Sequence, residues 1–389
     1  MALVFTQTPP VLSTAQSPVV FSVLENTGLY SASEFQYNCD LRFWTGSESA
    51  SGSVDYVLYK FPNQSGVGMF DVSRILNSAL RQLAYQYSSS IAYYNTSFSY
   101  TYLSGSGERV SSSLALTSSV YKALDGYGIF PEPINQNVPS KSVHWPMMTD
   151  GPVTQSVLPT DIGSMSIYVG STGAPTPTKV TYTKIGGASA DIAVAGTTSS
   201  LQQVVRVPVA PSQASFPLTV TDGDSFSIQA YSGSTPLNTP ILYDVICAYK
   251  YVPVRIQWKN RYGQFDYLNF YKAHYINFGT EQKTYQPQLG SWDATSLNYN
   301  QFQTNLQRYI VDTNETLDTN TDFLPETYNE ILKQLLVSDE IYWAYDQPNN
   351  LVKPLTILTS NIRFKTGVND KLIQYTISFN VGQTYKLII

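Results

Sequence analysis

Charge is scarce in this chain. Asp, Glu, Lys and Arg make up only 13% of its 389 residues, about half the usual share. The net charge is −5, with no block of like sign. The basic stripe by which DNA- and RNA-binding proteins hold phosphates is therefore missing, and no nucleic-acid partner is expected. Histidine occurs twice, as His144 in "SVHWP" and His274 in "KAHYINF". Neither has a G-x-S-x-G elbow upstream, so both read as structural or surface residues rather than catalytic bases. Neither H-E-x-x-H nor C-x-x-C is present. The only cysteines, Cys39 and Cys247, lie far apart in apolar runs and read as buried free thiols. With a mean hydropathy of −0.15 and no run of 18 apolar residues, no transmembrane helix is expected. The N-terminus, "MALVFTQTPPVLS", has no basic residues before its short apolar piece and does not read as a secretory signal. The sequons at Asn63, Asn95 and Asn314 then read as chance matches in a chain rich in Asn, Ser and Thr.

Tyrosine, serine and threonine stand where the charges would be. There are 30 Tyr, and the apolar fraction of 42% is ample for a large core. A neutral, hydrogen-bonding, aromatic exterior suits permanent assembly better than life as a free enzyme. The length predicts two or three domains.

The patterning predicts a mainly β protein with a minor α+β component: a multi-domain β-sandwich architecture with two short amphipathic helices packed on sheets. An N-terminal β-rich domain is expected over 1–155. "SPVVFSVL", "YNCDLRFW", "SVDYVLYKF", "IAYYNTSFSYTYL" and "RVSSSLALTSSVYKAL" read as its strands, and "FPEPINQNVPSKSVHWP" as an irregular excursion. Its helix, 71–86, carries Val72, Ile75, Leu76, Ala79, Leu80 and Leu83 at helical spacing, with Asp71 at the N-cap. Residues 156–253 form a Ser/Thr/Gly-rich module. Alternation at Met165/Ile167/Val169, Val205/Val207/Val209 and Phe226/Ile228/Ala230, between turns such as "KIGGAS" and "TDGDS", predicts a β-sandwich. A C-terminal β-rich domain follows over 254–389, with a helix at 324–338. Pro325 stands at its first position, Glu326 in its first turn, and Tyr328, Ile331, Leu332, Leu335 and Leu336 along its buried stripe.

Within "VRIQWKNRYGQFDYLNF" (254–270), Val254, Ile256 and Trp258 alternate as an inward face. "KNRYGQ" reads as a turn in which Asn260 and Gly263 adopt positive φ. Phe265, Tyr267 and Asn269 are expected on one face of the returning strand, Leu268 and Phe270 on the other. Trp258, Tyr262, Phe265 and Tyr267 are the candidate interface residues, with Tyr262 and Tyr267 expected exposed. In "DTNETLDTNTDF", Asp318, Asn320 and Asp322 have calcium-loop spacing. Phe323 replaces the required glycine and Asn329 the bidentate glutamate, so a polar turn leading into the helix at 324 is the expectation. "SGSGER" (104–109) lacks the third glycine of a dinucleotide fingerprint. No catalytic, cofactor-binding or metal-ligating residue is assigned.

"GVGMFDVSRILNSAL", preceded by "SPVVFSVLENTGLYSASEFQYNCDLRFW", resembles a recurring element of virion structural proteins of tailed bacteriophages. "PVRIQWKNRYGQFDYLNF", "NTDFLPETYNEILKQLLVSDEIYWAY" and "PLTILTSNIRFKTGVNDKLIQYTISF" are similar to parts of phage tail and baseplate proteins. The resemblance covers about half the chain and carries no catalytic signature. It implies a structural component of the virion tail, made in the host cytoplasm, with other virion proteins as partners. A homo-oligomer is expected, a trimer, hexamer or larger ring closed through head-to-tail interfaces. A capsid-associated or head-fibre protein is the second reading. A host-glycan-binding adhesin is the third; it would place Tyr and Trp in an exposed groove beside Asp, Asn or Gln. A glycan-cleaving tail enzyme comes last.

Overall fold

The computed structural model describes residues 3–46, 48, 50, 52–84, 91–112, 115–129, 142–170, 175–194, 204–247, 249–292, 295–298, 302, 304–347, 349, 351–364, 374–382 and 386–388. The Pro-rich stretch 130–141, the last two residues of the expected helix 71–86 and parts of the turns at 171–174 and 195–200 lie outside them. Among the described residues strand accounts for 48% and helix for 7%, so the chain is mainly β, as the alternation of its apolar residues predicts.

Packing divides the chain into two units. The first comprises Met1–Cys247, Trp258–Asp266 and Glu330–Ser338; the second comprises Ala248–Gln257, Tyr267–Asn329 and Asp339–Ile389.

The first unit begins with β1 (Leu3–Gln7), β2 (Leu12–Thr14), β3 (Val20–Glu25), β4 (Gln36–Trp44), β5 (Tyr56–Lys60) and β6 (Val67–Asp71). Helix α1 (Ser73–Ala84) follows, then β7 (Ile91–Leu103), β8 (Arg109–Ser111), β9 (Leu116–Thr117) and β10 (Tyr121–Leu124). A three-stranded sheet, β1-β3-β6, faces a larger one ordered β2-β10-β7-β4-β5. They share one core, in which Phe21, Phe70, Tyr37, Cys39, Tyr94, Phe98 and Tyr121 pack with Val72, Leu76 and Leu80 of the helix region. This helix stripe is the one its spacing predicts. Asp71 ends β6, and its Oδ1 accepts from the Ser73 N–H at 3.0 Å, satisfying a donor that the first helical turn leaves open.

The next strands are β11 (Thr154–Val157), β12 (Ser164–Tyr168), β13 (Lys179–Lys184), β14 (Ser189–Ala193) and β15 (Val204–Pro208). After them come β16 (Ser225–Ser232), β17 (Thr235–Pro236) and β18 (Ile241–Val245). The sheet β11-β18-β16-β13-β14 and the pair β12-β15 bury Val180, Tyr182, Phe226, Ile228 and Tyr243 against Met165, Ile167, Val207 and Val209. The alternating triplets of the sequence thus point into a sandwich core. "TDGDS" is a turn, closed by Asp224 accepting from the N–H and hydroxyl of Thr221.

The second unit is dominated by an eight-stranded sheet. Its strands include β19 (Val254–Lys259), β20 (Phe265–Phe270) and β21 (Tyr275–Tyr285). A small hairpin of β22 (Ser291–Trp292) and β23 (Leu297–Asn298) precedes β24 (Gln307–Asn320). After a single 3₁₀ turn, Glu326–Tyr328, comes α2 (Asn329–Val337), which from Glu330 onward belongs to the first unit. Then follow β25 (Ile341–Asp346), β26 (Leu351–Ile357), β27 (Thr376–Val381) and β28 (Lys386–Ile388). The order is β20-β19-β25-β26-β27-β24-β21, with β28 paired to β24.

Three expectations change here. The Asp312–Asp322 stretch is not a turn. Asp312 to Asn320 lie in β24, where extended backbone spreads the would-be calcium ligands apart, and Asp322 pairs with Lys272 at 2.9 Å. Asn260 has no positive φ, whereas Gly263 does, at 73°. Cys247 is exposed; only Cys39 is buried, and burial pushes its thiol up to about 12.

Candidate functional site

The 254–270 stretch forms the hairpin its pattern predicts, β19 beside β20, and most of its aromatics turn inward. Trp258 and Tyr262 are fully buried within the chain, while Phe265 and Tyr267 are half-buried. Tyr262 is therefore not the exposed contact residue its position in a turn suggested. The alternation is also incomplete. Val254, Ile256 and Trp258 are buried as expected, but so are Arg255 and Lys259 between and beyond them, and Asn269 is buried beside Leu268 and Phe270. Arg255 Nη1 donates to Asn269 Oδ1 at 3.1 Å and stacks on the Tyr267 ring at 4.9 Å. A long cation is tolerated under cover because its guanidinium finds both an acceptor and a π face.

The turn Asn260–Gln264 is held by the side chain of its first residue. Asn260 Oδ1 accepts from the N–H groups of Tyr262 and Gln264, each at 3.0 Å. Its Nδ2 donates to the Met148 carbonyl at 2.9 Å and to Asp266 Oδ2 at 3.0 Å. Both donors and both lone pairs of the amide are thus used, which explains an asparagine with no exposed surface. Against this turn lies Asp125–Gly126. A Cβ on Gly263 would meet the Asp125 carbonyl oxygen at 2.4 Å, and one on Gly126 would meet the Arg261 carbonyl oxygen at 2.2 Å. Two backbones approach here as only glycine allows.

Around the turn sits a buried polar network centred on Asp150. Its Oδ1 accepts from the Tyr262 hydroxyl at 2.6 Å. Its Oδ2 lies 2.8 Å from Arg261 Nε and accepts from Gln334 Nε2 at 2.8 Å. Gln334 is on the buried side of α2, and its Oε1 accepts from the Arg261 N–H at 3.2 Å, so the helix is tied to the turn. Lys259 Nζ pairs with Asp125 Oδ2 at 2.9 Å, and Ser166 donates to Gln264 Oε1 at 2.7 Å. Burial pushes the Asp266 carboxyl up to about 7. The hydrogen bonds from Asn260 and Thr149 oppose that rise, and the charge of Asp150 adds to it. An apolar cluster of Leu12, Trp44, Tyr93, Leu124, Met148, Tyr168 and Tyr262 seals the same region. Both oxygens of Asp150 are engaged within the fold, by Tyr262, Arg261 and Gln334. The arrangement acts as a pin, fixing a turn and a helix in place. Sequence reasoning missed it, because Lys259 and Asp125 are 134 positions apart and Gln334 and Asp150 are 184.

His144 belongs to the same neighbourhood as a structural residue. Its Nε2 lies 2.7 Å from the Gly151 carbonyl and its Nδ1 is buried without a partner, which describes a neutral ring; burial lowers its pKa. Among the described residues, no group of three or more His, Cys, Asp or Glu is arranged to hold a metal ion.

Two other surfaces are accessible. A shallow groove of about 560 Å³ is lined by Trp145, Gln229, Leu237 and Asn238, among others. Its amides are already engaged: Gln229 donates to the Asn238 carbonyl, and Asn238 holds the Ala230 N–H. The larger surface consists of strand. All five residues of edge strand β5 are half-buried or exposed, Tyr59 by 61%. All eleven residues of β21 are exposed, and Tyr275, Ile276, Phe278 and Tyr285 are among them. Both strands end their sheets.

No protein-family model matches the chain, and no curated protein matches it. No helix among the described residues is long and apolar enough to cross a membrane.

Proposed function

We propose that this chain is a structural component of a tailed-phage virion, a tail, baseplate or fibre-anchoring protein that assembles with copies of itself and other virion proteins into a ring or trimer. The observation that supports this reading is the exposure of aromatic and β-branched side chains on two sheet-ending strands, β5 and β21. In a monomer such strands are an aggregation liability, because they present unpaired backbone beside apolar side chains. In an assembled particle they are covered. The scarcity of charge points the same way, since few ionic groups need desolvating when such a surface is buried. Gold labelling of a tagged chain in purified particles, imaged by electron microscopy, tests the assignment. Label on the tail supports it, label on the head moves the chain to the capsid-associated reading, and label on neither removes both.

One observation favours a second reading, that of a glycan-binding adhesin. The groove beside Trp145 sets an indole next to Gln229 and Asn238. Binding to a host polysaccharide that disappears in Trp145→Ala would establish it, and a glycan array without hits would remove it.

A further inference from the structure

Strand β21 pairs with β24 along one side and ends the sheet on the other. Its eleven residues are exposed on both faces, and none is proline. It carries two charges, Glu281 and Lys283, and neither forms an ion pair among the described residues. The residue directly opposite Glu281 on β24 is another acid, Asp312. Asp312 faces Lys386 of β28 on its other side, so Glu281 is the acid of this row that lacks a facing cation.

A second copy of the same strand supplies that cation. When one strand pairs antiparallel with its own copy about a two-fold axis normal to the sheet, opposed residues must point to the same face. The axis must then pass through a residue. Of these registers, only the one centred on Gln282 sets Glu281 opposite Lys283, and by symmetry it does so twice. The same register sets Thr280 opposite Thr284, and Gly279 opposite Tyr285. The register centred on Thr280 instead sets Glu281 opposite Gly279 and Lys283 opposite Asn277, leaving both charges unmatched.

We infer that the free edge of β21 is a self-complementary docking strand, which pairs antiparallel with β21 of a second copy in the register centred on Gln282. The inference rests on the reading that the chain assembles with itself, and it names the contact. Such a contact is isologous, so a head-to-tail trimer or ring that uses it pairs with a second trimer or ring, and the closed assembly holds an even number of copies.

Cysteine cross-linking reads the register directly, in a background where exposed Cys247 is replaced by Ser. Gln282→Cys faces itself across the axis and should form a covalent dimer under mild oxidation. Glu281→Cys alone should not, because its counterpart is Lys283; an equimolar mixture of Glu281→Cys and Lys283→Cys should. In sedimentation velocity, Lys283→Glu should weaken association at least tenfold, and adding Glu281→Lys should restore it. All these substitutions are on a solvated strand and should leave the melting temperature unchanged. If the chain assembles but Gln282→Cys does not cross-link and Lys283→Glu changes nothing, this inference fails while the assembly reading stands. If the chain is monomeric at every concentration, both fail.

Discussion

Replacing Asp150 by Asn keeps the shape of the side chain and removes the charge at the centre of the buried network. The carboxylate takes three contacts at 2.6–2.8 Å, from the Tyr262 hydroxyl, Arg261 Nε and Gln334 Nε2. The amide accepts through only one atom and turns its NH₂ toward donors. The Arg261 side chain, 9% exposed, then loses the carboxylate charge 2.8 Å from its Nε. Breaking one side of a buried ion pair costs about 3–5 kcal/mol, because the desolvated partner keeps its charge. For a unit of this size, each kcal/mol lowers the melting temperature by roughly 2–4 °C, so Asp150→Asn should melt about 6–20 °C below the parent in scanning calorimetry at pH 8. Tyr262→Phe removes one charge-assisted hydrogen bond and should cost about 1.5–3 kcal/mol. The double variant Asp150→Asn/Arg261→Met should be more stable than Asp150→Asn alone, because the orphaned cation is gone. A loss of less than 1 °C in Asp150→Asn, or a double variant weaker by the sum of both single losses, would refute the claim that Asp150 holds this turn by charge.

Asp266 gives a pH dependence of definite sign. Its folded-state pKa, near 7, lies above its ordinary value of 3.8, so the folded chain holds the proton more tightly. That contribution is fully present below the ordinary value and is lost as pH rises through about 7, by at most roughly 4 kcal/mol. Asp266→Asn should therefore gain stability relative to the parent from pH 5 to pH 8 in urea titrations, and a pH-independent difference would contradict the raised carboxyl. His144 has the opposite sign: its lowered pKa means stability lost as pH falls below the ordinary histidine value, so the Asp266→Asn background should reveal a decline toward acid. Gly263→Ala combines about 1–2 kcal/mol of left-handed strain with a clash against the Asp125 carbonyl and should cost more than about 2 kcal/mol in the same titrations. A soluble disulfide reagent should modify Cys247 in the folded chain and Cys39 only on unfolding; two rapid equivalents would contradict the burial of Cys39.

Much of the fold could be read in the residues, where one face of an element is buried and the other is not. The run 91–103 alternates, and β7 spans those residues. The stripes of Val72, Leu76 and Leu80 and of Tyr328, Ile331, Leu332 and Leu335 mark the faces their helices bury. Pattern failed where both faces share one environment. β24 is solvated along much of its length and rich in Asp, Asn and Thr, a composition that a turn also uses. β19 is covered on both sides, so Arg255 and Lys259 are buried where alternation would expose them. The polar network was illegible for a different reason. Its partners are brought together only by tertiary folding, and no spacing rule announces a carboxylate 112 positions from its phenol. The candidate interface residues were chosen for aromatic character, and aromatic residues serve the core as readily as a contact surface: Trp258 and Tyr262 went to the core.

On the proposed function, the exposed strand surface of β5 and β21 is covered by further copies of the chain. Light scattering coupled to size-exclusion chromatography, over a hundredfold range of concentration, measures this directly. A discrete closed assembly that persists on dilution is the expected result; a compact monomer of 43.2 kDa at every concentration would contradict it.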